Sequence, residues 1–258
     1  MITSSDATNA LRLAGLRRGM TVFSHSNIAF FGRIENTSCM DDLVRFMLDC
    51  YLDVLGPDGT LVLPVFTYSF GSDKDDKVFD LQTTLSKTSA MGNWLVTSGA
   101  GCRSADPMLS VVAMGSRARE LTADIDLTCF GPQSIWARLW DEDAMICNLN
   151  LDSGSTYLHW VERELGVSYR TDIPMSGTVI DNGRSQETHV TYTGRDLRDP
   201  GASASFESYH RACLAQGISK VTFLGRGQIV SQSARDAKSF LEVLLKTHPY
   251  LLTSRHQP

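Results

Sequence analysis

An imidazole and a carboxylate stand three residues apart in Ser155-Thr156-Tyr157-Leu158-His159-Trp160-Val161-Glu162. On a helix that spacing puts His159 and Glu162 on one face. A carboxylate beside an imidazole holds the ring's tautomer and favours its protonated form. An imidazole poised near neutral pH is the usual acceptor for the proton of an amine attacking a carbonyl. The same spacing also describes a surface ion pair that adds only a few tenths of a kcal/mol, and taken alone it favours that plainer reading. A second polar stretch, Ser24-His25-Ser26-Asn27, follows an apolar run. Open α/β sheets place ligands at such strand ends, although a polar turn that satisfies its own backbone has the same look. The third, Arg103-Ser104-Ala105-Asp106-Pro107-Met108-Leu109-Ser110, sets a guanidinium suited to phosphate beside two hydroxyls and a rigid proline turn. A structural loop with one arginine fits it equally well.

Other chemistries lack their residues. Phe223-Leu224-Gly225-Arg226-Gly227 misses the third glycine of a dinucleotide fingerprint, and neither a G-x-S-x-G elbow nor a P-loop occurs. Cys39, Cys50, Cys102, Cys129, Cys147 and Cys213 are scattered without a C-x-x-C pair, so zinc spacing is absent and no metal is expected. His189 and His210 are isolated. The acidic run Asp73, Asp75, Asp76, Asp80 reads as a solvated loop whose field could attract an amino group.

These side chains need a frame, and 258 residues with 42% hydrophobic content can bury a core without staples. A net charge of -5 and a pI near 5.7 leave no basic face for nucleic acid. No apolar run reaches the length of a membrane span, and the amino terminus does not read as a signal peptide. A cytoplasmic protein with reduced, mostly buried thiols is the expectation, with no nucleic-acid or membrane partner.

Residues 4–16 read as a helix capped by Ser5 or Asp6, and Thr21-Val22-Phe23-Ser24-His25 as the start of a strand. Leu43, Phe46, Met47, Tyr51 and Val54 mark a helix over 40–55. A nearly continuous apolar strand over 60–67 follows, of the kind covered on both faces. Residues 68–87 read as a long surface excursion. Helices are expected from 89 to 100, 116 to 122, 155 to 165 (ending at Gly166), 205 to 216 and 233 to 247. Strands are expected at 144–149 and 219–225, and 111–114 reads as either a strand or a packed turn. Asp181-Asn182-Gly183 is a hairpin turn between strands at 178–180 and 188–193. No repeat or linker divides the chain, so the reading is α/β, one domain over 1–258 with a β-hairpin insertion.

Taken in order, HSNIAFFG (25–32), GPDGTLVLPVFTYSF (56–70), MGNW (91–94), RSADPMLSVVAMG (103–115), FGPQSIW (130–136) and STYLHWVE (155–162) resemble the aminoglycoside 3-N-acetyltransferase family. The likeness is good over about residues 8–170 and looser beyond. It implies a single α/β/α layered domain with a mixed central sheet, not the GNAT fold. It further implies acetyl-CoA as co-substrate, direct transfer to a small-molecule amine, and a homodimer. By that resemblance His159 is the general base, and Glu162 orients it or grips the acceptor. His25, Ser26, Thr67, Arg103, Ser104, Ser110 and Val111 belong to the CoA pocket, with a backbone N–H near Ser110–Val111 for the oxyanion. Tyr68, Asp106 and Glu162 fall on the acceptor side. No cysteine is needed as a nucleophile.

Two departures bear on the acceptor. Members commonly carry His-Pro where this chain has Asp106-Pro107, and a second serine where it has Asn27. The Asp-Pro form is similar to members that modify amino sugars of surface polysaccharides, so an amino sugar, perhaps nucleotide-linked, stands beside an aminoglycoside as acceptor. Two other classes compete. A non-catalytic module for a CoA-like or nucleotide ligand would keep Arg103 and the Ser24–Asn27 strand end but need no base. An acyl hydrolase would lack an amine pocket.

Overall fold

Alternation along the strands builds the molecule. The structure, a computed structural model, describes residues 1–71, 73, 75–196 and 198–256. In chain order α1 (Ser4–Leu13) leads to β1 (Thr21–Phe23), α2 (Met40–Leu55), β2 (Thr60–Pro64), β3 (Val78–Asp80), α3 (Ala90–Ser98), β4 (Cys102–Arg103) and β5 (Val111–Gly115). Then come α4 (Ala118–Thr122), α5 (Ile135–Asp141), β6 (Met145–Leu149) and α6 (Tyr157–Glu164). The hairpin of β7 (Arg170–Asp181) and β8 (Arg184–Arg195) precedes α7 (Glu207–Ala215), β9 (Lys220–Leu224), β10 (Gly227–Ser233) and α8 (Ala234–Thr247).

A seven-stranded sheet runs β4-β5-β2-β1-β6-β10-β9. Its centre is parallel, with β1 pairing β2 and β6, and both flanks are antiparallel. The period of two sends neighbouring residues to opposite faces. Val22, Leu61, Leu63, Val112 and Cys147 join one core with α1, α2 and α3. Phe23, Val62, Ala113 and Ile146 join the other with α4 to α8. This is the mixed, layered α/β arrangement expected. Because the chain passes from β1 to β2 on one side and later to β6 on the other, the carboxyl end of β1 is the topological switch point, where such sheets bind ligands.

Several elements differ from expectation. Helix α1 is capped by Thr3, not Ser5 or Asp6: the Thr3 hydroxyl accepts from the Asp6 N–H while the Asp6 carboxylate accepts from the Thr3 N–H. The 68–87 excursion is not loop throughout. Val78–Asp80 forms β3, parallel to β7, and Phe79 is fully buried. The hairpin is twelve residues per arm, well beyond the two short strands expected; Met175, Val179, Val190 and Tyr192 pack on the core, while polar residues interrupt the apolar pattern along both arms. Its turn is as expected, with Asn182 and Gly183 both at positive φ. Strands β4 and β10 and helix α5 are additions. β10 lies inside the sheet yet reads as polar, since buried Ser231 and Gln232 find partners in Ala14 O and Ser153 O. Among the described residues no helix is long and apolar enough to cross a membrane.

Candidate active site

The start of α6 is shaped by the loop before it. Buried Asn148, on β6, donates to Asp152 O and Gly154 O at 2.7 Å each. Asn150, at φ 56°, donates to Asn27 O and accepts from the Gln228 N–H. These bonds tie the loop after β6 to the loop after β1. As a result the His25 ring meets the first turn of α6, where its Nε2 accepts from the Thr156 N–H at 3.3 Å. Ser155 Oγ accepts from the Tyr157 N–H at 3.3 Å, and Thr156, at the helix start, makes no side-chain cap bond.

One turn further, His159 Nδ1 lies 2.7 Å from Glu162 Oε2. The pair is no surface contact. Glu162 is fully buried, with its second partner on Oε2, Arg170 Nε, at 2.6 Å. Its Oε1 accepts from Tyr169 Oη at 2.6 Å and Arg195 Nη2 at 2.9 Å. Both oxygens are thus committed to protein donors, and the acceptor-gripping role has no free oxygen to use. One carboxylate against two guanidiniums leaves the cluster positive before His159 takes any proton. Burial and Arg170 therefore pull the His159 pKa down to about 4, against the opposing influence of Glu162. Spacing suggested an imidazole near neutrality with its charged form favoured; burial of the ring, joined by Arg170 and Arg195, reverses that. Burial pushes the Glu162 carboxyl up, but His159, Arg170 and Arg195 outweigh it and hold it at about 2. An ionised carboxylate accepts, so Nδ1 carries the ring proton and Nε2 the lone pair. Among the described residues Nε2 has no hydrogen-bond partner.

Aromatic rings bound the space between the two histidines. His159 stacks on Phe206 at 5.7 Å and meets Phe130 edge-on at 6.1 Å. Phe130 leads to Tyr192, Tyr192 to Tyr68, Tyr68 to Phe66, and Phe66 to His25, each step 6.1 to 6.4 Å. Buried Trp136 lies under Phe23, Phe66 and Phe130. From His25 a cleft of about 540 Å³ opens at the carboxyl end of β1. Ser26, Asn27, Thr88 and Ser89 give it polar groups, and Leu63, Phe66, Met91 and Leu151 apolar walls.

The remaining expected residues are distributed unevenly. His25 and Ser26 line the cleft. Ser26 Oγ lies 2.9 Å from buried Ser24 Oγ, which also reaches Tyr51 Oη. Thr67 Oγ1 donates to Pro107 O. Tyr68 is 43% exposed beside the rings, at φ 49°, a conformation costly for a bulky residue. Arg103, Ser104, Ser110 and Val111 do not line the cleft. Arg103 packs over Phe79 and donates to Leu81 O and Ser110 Oγ, binding β4 to the β3 segment. Buried Ser104 accepts from the Val111 N–H at 2.9 Å, which removes that N–H as an oxyanion donor. Ser110 Oγ donates to Val65 O. Asp106 does not face an acceptor: it is buried and accepts from the Met108 and Leu109 N–H groups and the Cys129 thiol, an Asx-type turn.

Several contributors went unforeseen. Arg170, Arg195, Tyr169, Tyr192 and Phe206 come from the hairpin and the segments around it, and no local pattern ties them to His159. Asn148 and Asn150 carried a signal, two amides ending an otherwise apolar strand. Four of the six free thiols, Cys50, Cys129, Cys147 and Cys213, are buried. Among the described residues no cluster of His, Cys, Asp and Glu is arranged to hold a metal ion.

Comparison with known proteins agrees with this layout. A family model described as aminoglycoside 3-N-acetyltransferase matches residues 23–246. Aminoglycoside N(3)-acetyltransferase III of Pseudomonas aeruginosa is 25% identical over 236 residues, 83% of each chain. The crystal structure of aminoglycoside acetyltransferase AAC(3)-Xa superposes with a TM-score of 0.79 at 21% identity, covering 96% of this chain and 93% of that one. AAC-VIa bound to sisomicin gives 0.80 at 20% identity, with 95% and 98% covered. AAC-IIIb in a binary complex with CoASH gives 0.78 at 20% identity, with 99% of each covered.

Proposed function

The chain belongs to the aminoglycoside 3-N-acetyltransferase family, and from that premise we propose that this N-acetyltransferase moves acetyl from acetyl-CoA directly to an amine of an aminoglycoside or amino sugar, with His159 as general base. One observation carries the reading. The Glu162 carboxylate fixes the His159 proton on Nδ1, so the Nε2 lone pair points away from the buried cluster with no protein partner among the described residues. An ammonium near pKa 10 is mostly protonated at neutral pH and must lose a proton before it attacks a thioester. A neutral imidazole in contact with it takes the proton released as the C–N bond forms. Glu162 acts through His159 by orienting it, and Arg170 and Arg195 keep it ionised.

The cleft suits the donor. Its volume lies within the usual range for small-molecule sites, and its mixture of hydroxyls and apolar walls fits an amide-bearing pantetheine arm. The relative bound to CoASH supports this placement, and the one bound to sisomicin supports a polyamine sugar as acceptor. Tyr68 and Tyr192 form the acceptor's wall in this reading, since sugar rings pack on aromatic faces; Ser26 faces the donor.

The test is acetyl-CoA with a panel of aminoglycosides and amino sugars, followed by thiol release and product mass. Acetylated amine is expected, and free acetate alone points instead to a hydrolase. His159→Ala should lower kcat by roughly two to four decades. A wild-type rate in that variant removes His159 as base.

A further inference from the structure

We propose that His25 is a second catalytic group, whose Nδ1–H donates to the acetyl carbonyl oxygen as the amine attacks. This rests on the reading above, in which the cleft holds acetyl-CoA and His159 is the base. The assignment comes from hydrogen bonding. His25 Nε2 accepts from the Thr156 N–H. A ring nitrogen that accepts has no proton, so the neutral imidazole carries it on Nδ1. The flipped ring would present a carbon to that N–H and lose the bond. Among the described residues Nδ1 has no hydrogen-bond partner, and the ring lines the cleft. It is also immobilised, edge-on to Phe23 at 4.9 Å and to Phe66 at 6.1 Å, while its backbone carbonyl accepts from the Leu149 N–H.

The two imidazoles are therefore set in opposite senses at the first turn of α6. His159 offers a lone pair, and His25 offers an N–H. Burial and the neighbouring His159 keep His25 neutral, with its pKa pulled down to about 4. A neutral imidazole against a helix N-terminus is a known electrophilic donor to a substrate carbonyl. Of the backbone donors anticipated near Ser110–Val111, the Val111 N–H is committed to Ser104 Oγ. Fixed donors aimed where charge develops are among the largest contributions to acyl transfer.

In the step, the amine lone pair forms the C–N bond and the carbonyl π pair moves onto oxygen, which accepts from His25 Nδ1–H. The amine proton passes to His159 Nε2. Collapse re-forms C=O and breaks C–S, and the thiolate leaves with the proton that His159 returns. His25 keeps its own proton throughout.

Three measurements test this. Nitrogen-15 NMR of histidine-labelled, ligand-free protein at pH 7 should show His25 protonated on Nδ1; a proton on Nε2 overturns the proposal. The infrared stretch of carbonyl-¹³C acetyl-CoA bound to wild type should lie below that in His25→Ala, and an unchanged stretch overturns it. In turnover, His25→Ala should lower kcat about 10²–10³-fold with CoA affinity by calorimetry retained, and His25→Gln, which restores a donor, should recover part. Weakened CoA binding with unchanged kcat makes His25 a pocket wall only. The first two readings need no acceptor, so they judge His25 even when wild type acetylates none of the amines offered. Failure of acetyl-CoA to bind at all sinks both readings.

Discussion

A base is useful only if its lone pair is free when substrate arrives, and in the proposed reading Glu162, Arg170 and Arg195 set that condition for His159. Glu162 alone would raise the imidazole toward its protonated form. Burial first, and then Arg170 and Arg195, outweigh that pull, so the ring rests neutral. The consequence is a pH profile. With His159 pulled down to about 4, kcat/KM for acetyl-CoA should lose this base only as the pH falls through about 4. Arg170→Gln or Arg195→Gln removes one positive neighbour, and the acid limb should move upward toward the ordinary histidine value near 6.5. A purely structural role for the arginines would lower stability and leave the limb in place. Legibility at this scale was partial. The spacing of His159 and Glu162 was readable because helical neighbours are close in sequence. The charge state was not, because Arg170 and Arg195 reach Glu162 from two strands of a hairpin.

At the scale of elements, the decisive join is between the ends of β1 and β6. Asn150 bridges it, and Asn148 is the buried clamp of the loop that carries β6 into α6. Asn148→Ala leaves Asp152 O and Gly154 O without their donor in a place water does not easily reach. The expected loss is about 1–3 kcal/mol in equilibrium unfolding, together with a fall in kcat as His25 and α6 lose their register. A loss of stability with kcat unchanged would separate the clamp from the site. Helix α2 matched its expected bounds because its apolar period and the Gly56 that follows it are local signals. Strands β3 and β10 did not reveal themselves. β3 is held by β7, far along the chain, and β10 by β6, also distant, as well as by β9, its neighbour across a tight turn, and neither shows a clean apolar alternation. Asp106 illustrates the same limit. Its residue type suggested a role toward the acceptor, whereas its oxygen closes a turn on the Met108 and Leu109 N–H groups.

For the whole molecule, the neutral histidines link function to stability. His25 and His159 both sit at about 4 when folded, against about 6.5 in an unfolded chain. Between those values the unfolded state binds more protons, so stability rises with pH through that window. Their contribution is complete above about pH 6.5 and is lost as pH falls through about 4. Glu162, held at about 2, adds a second loss of the same sign as pH falls from the ordinary carboxyl range. Urea midpoints should be level above neutrality and decline toward pH 4, and His25→Gln should shallow that decline; a level midpoint from pH 7 to 4 would contradict the burial of both rings. Sequence by itself determined the layered α/β frame, the pairing of His159 with Glu162 on one helix face, the strand end that bears His25, and the family likeness, all written in short ordered stretches. The tertiary structure alone decided the tautomer of His25, the burial that holds both imidazoles neutral, and the packing of Arg103 over Phe79. Those properties depend on hydrogen-bond partners and burial, which come from residues tens to more than a hundred positions apart once the sheet has closed.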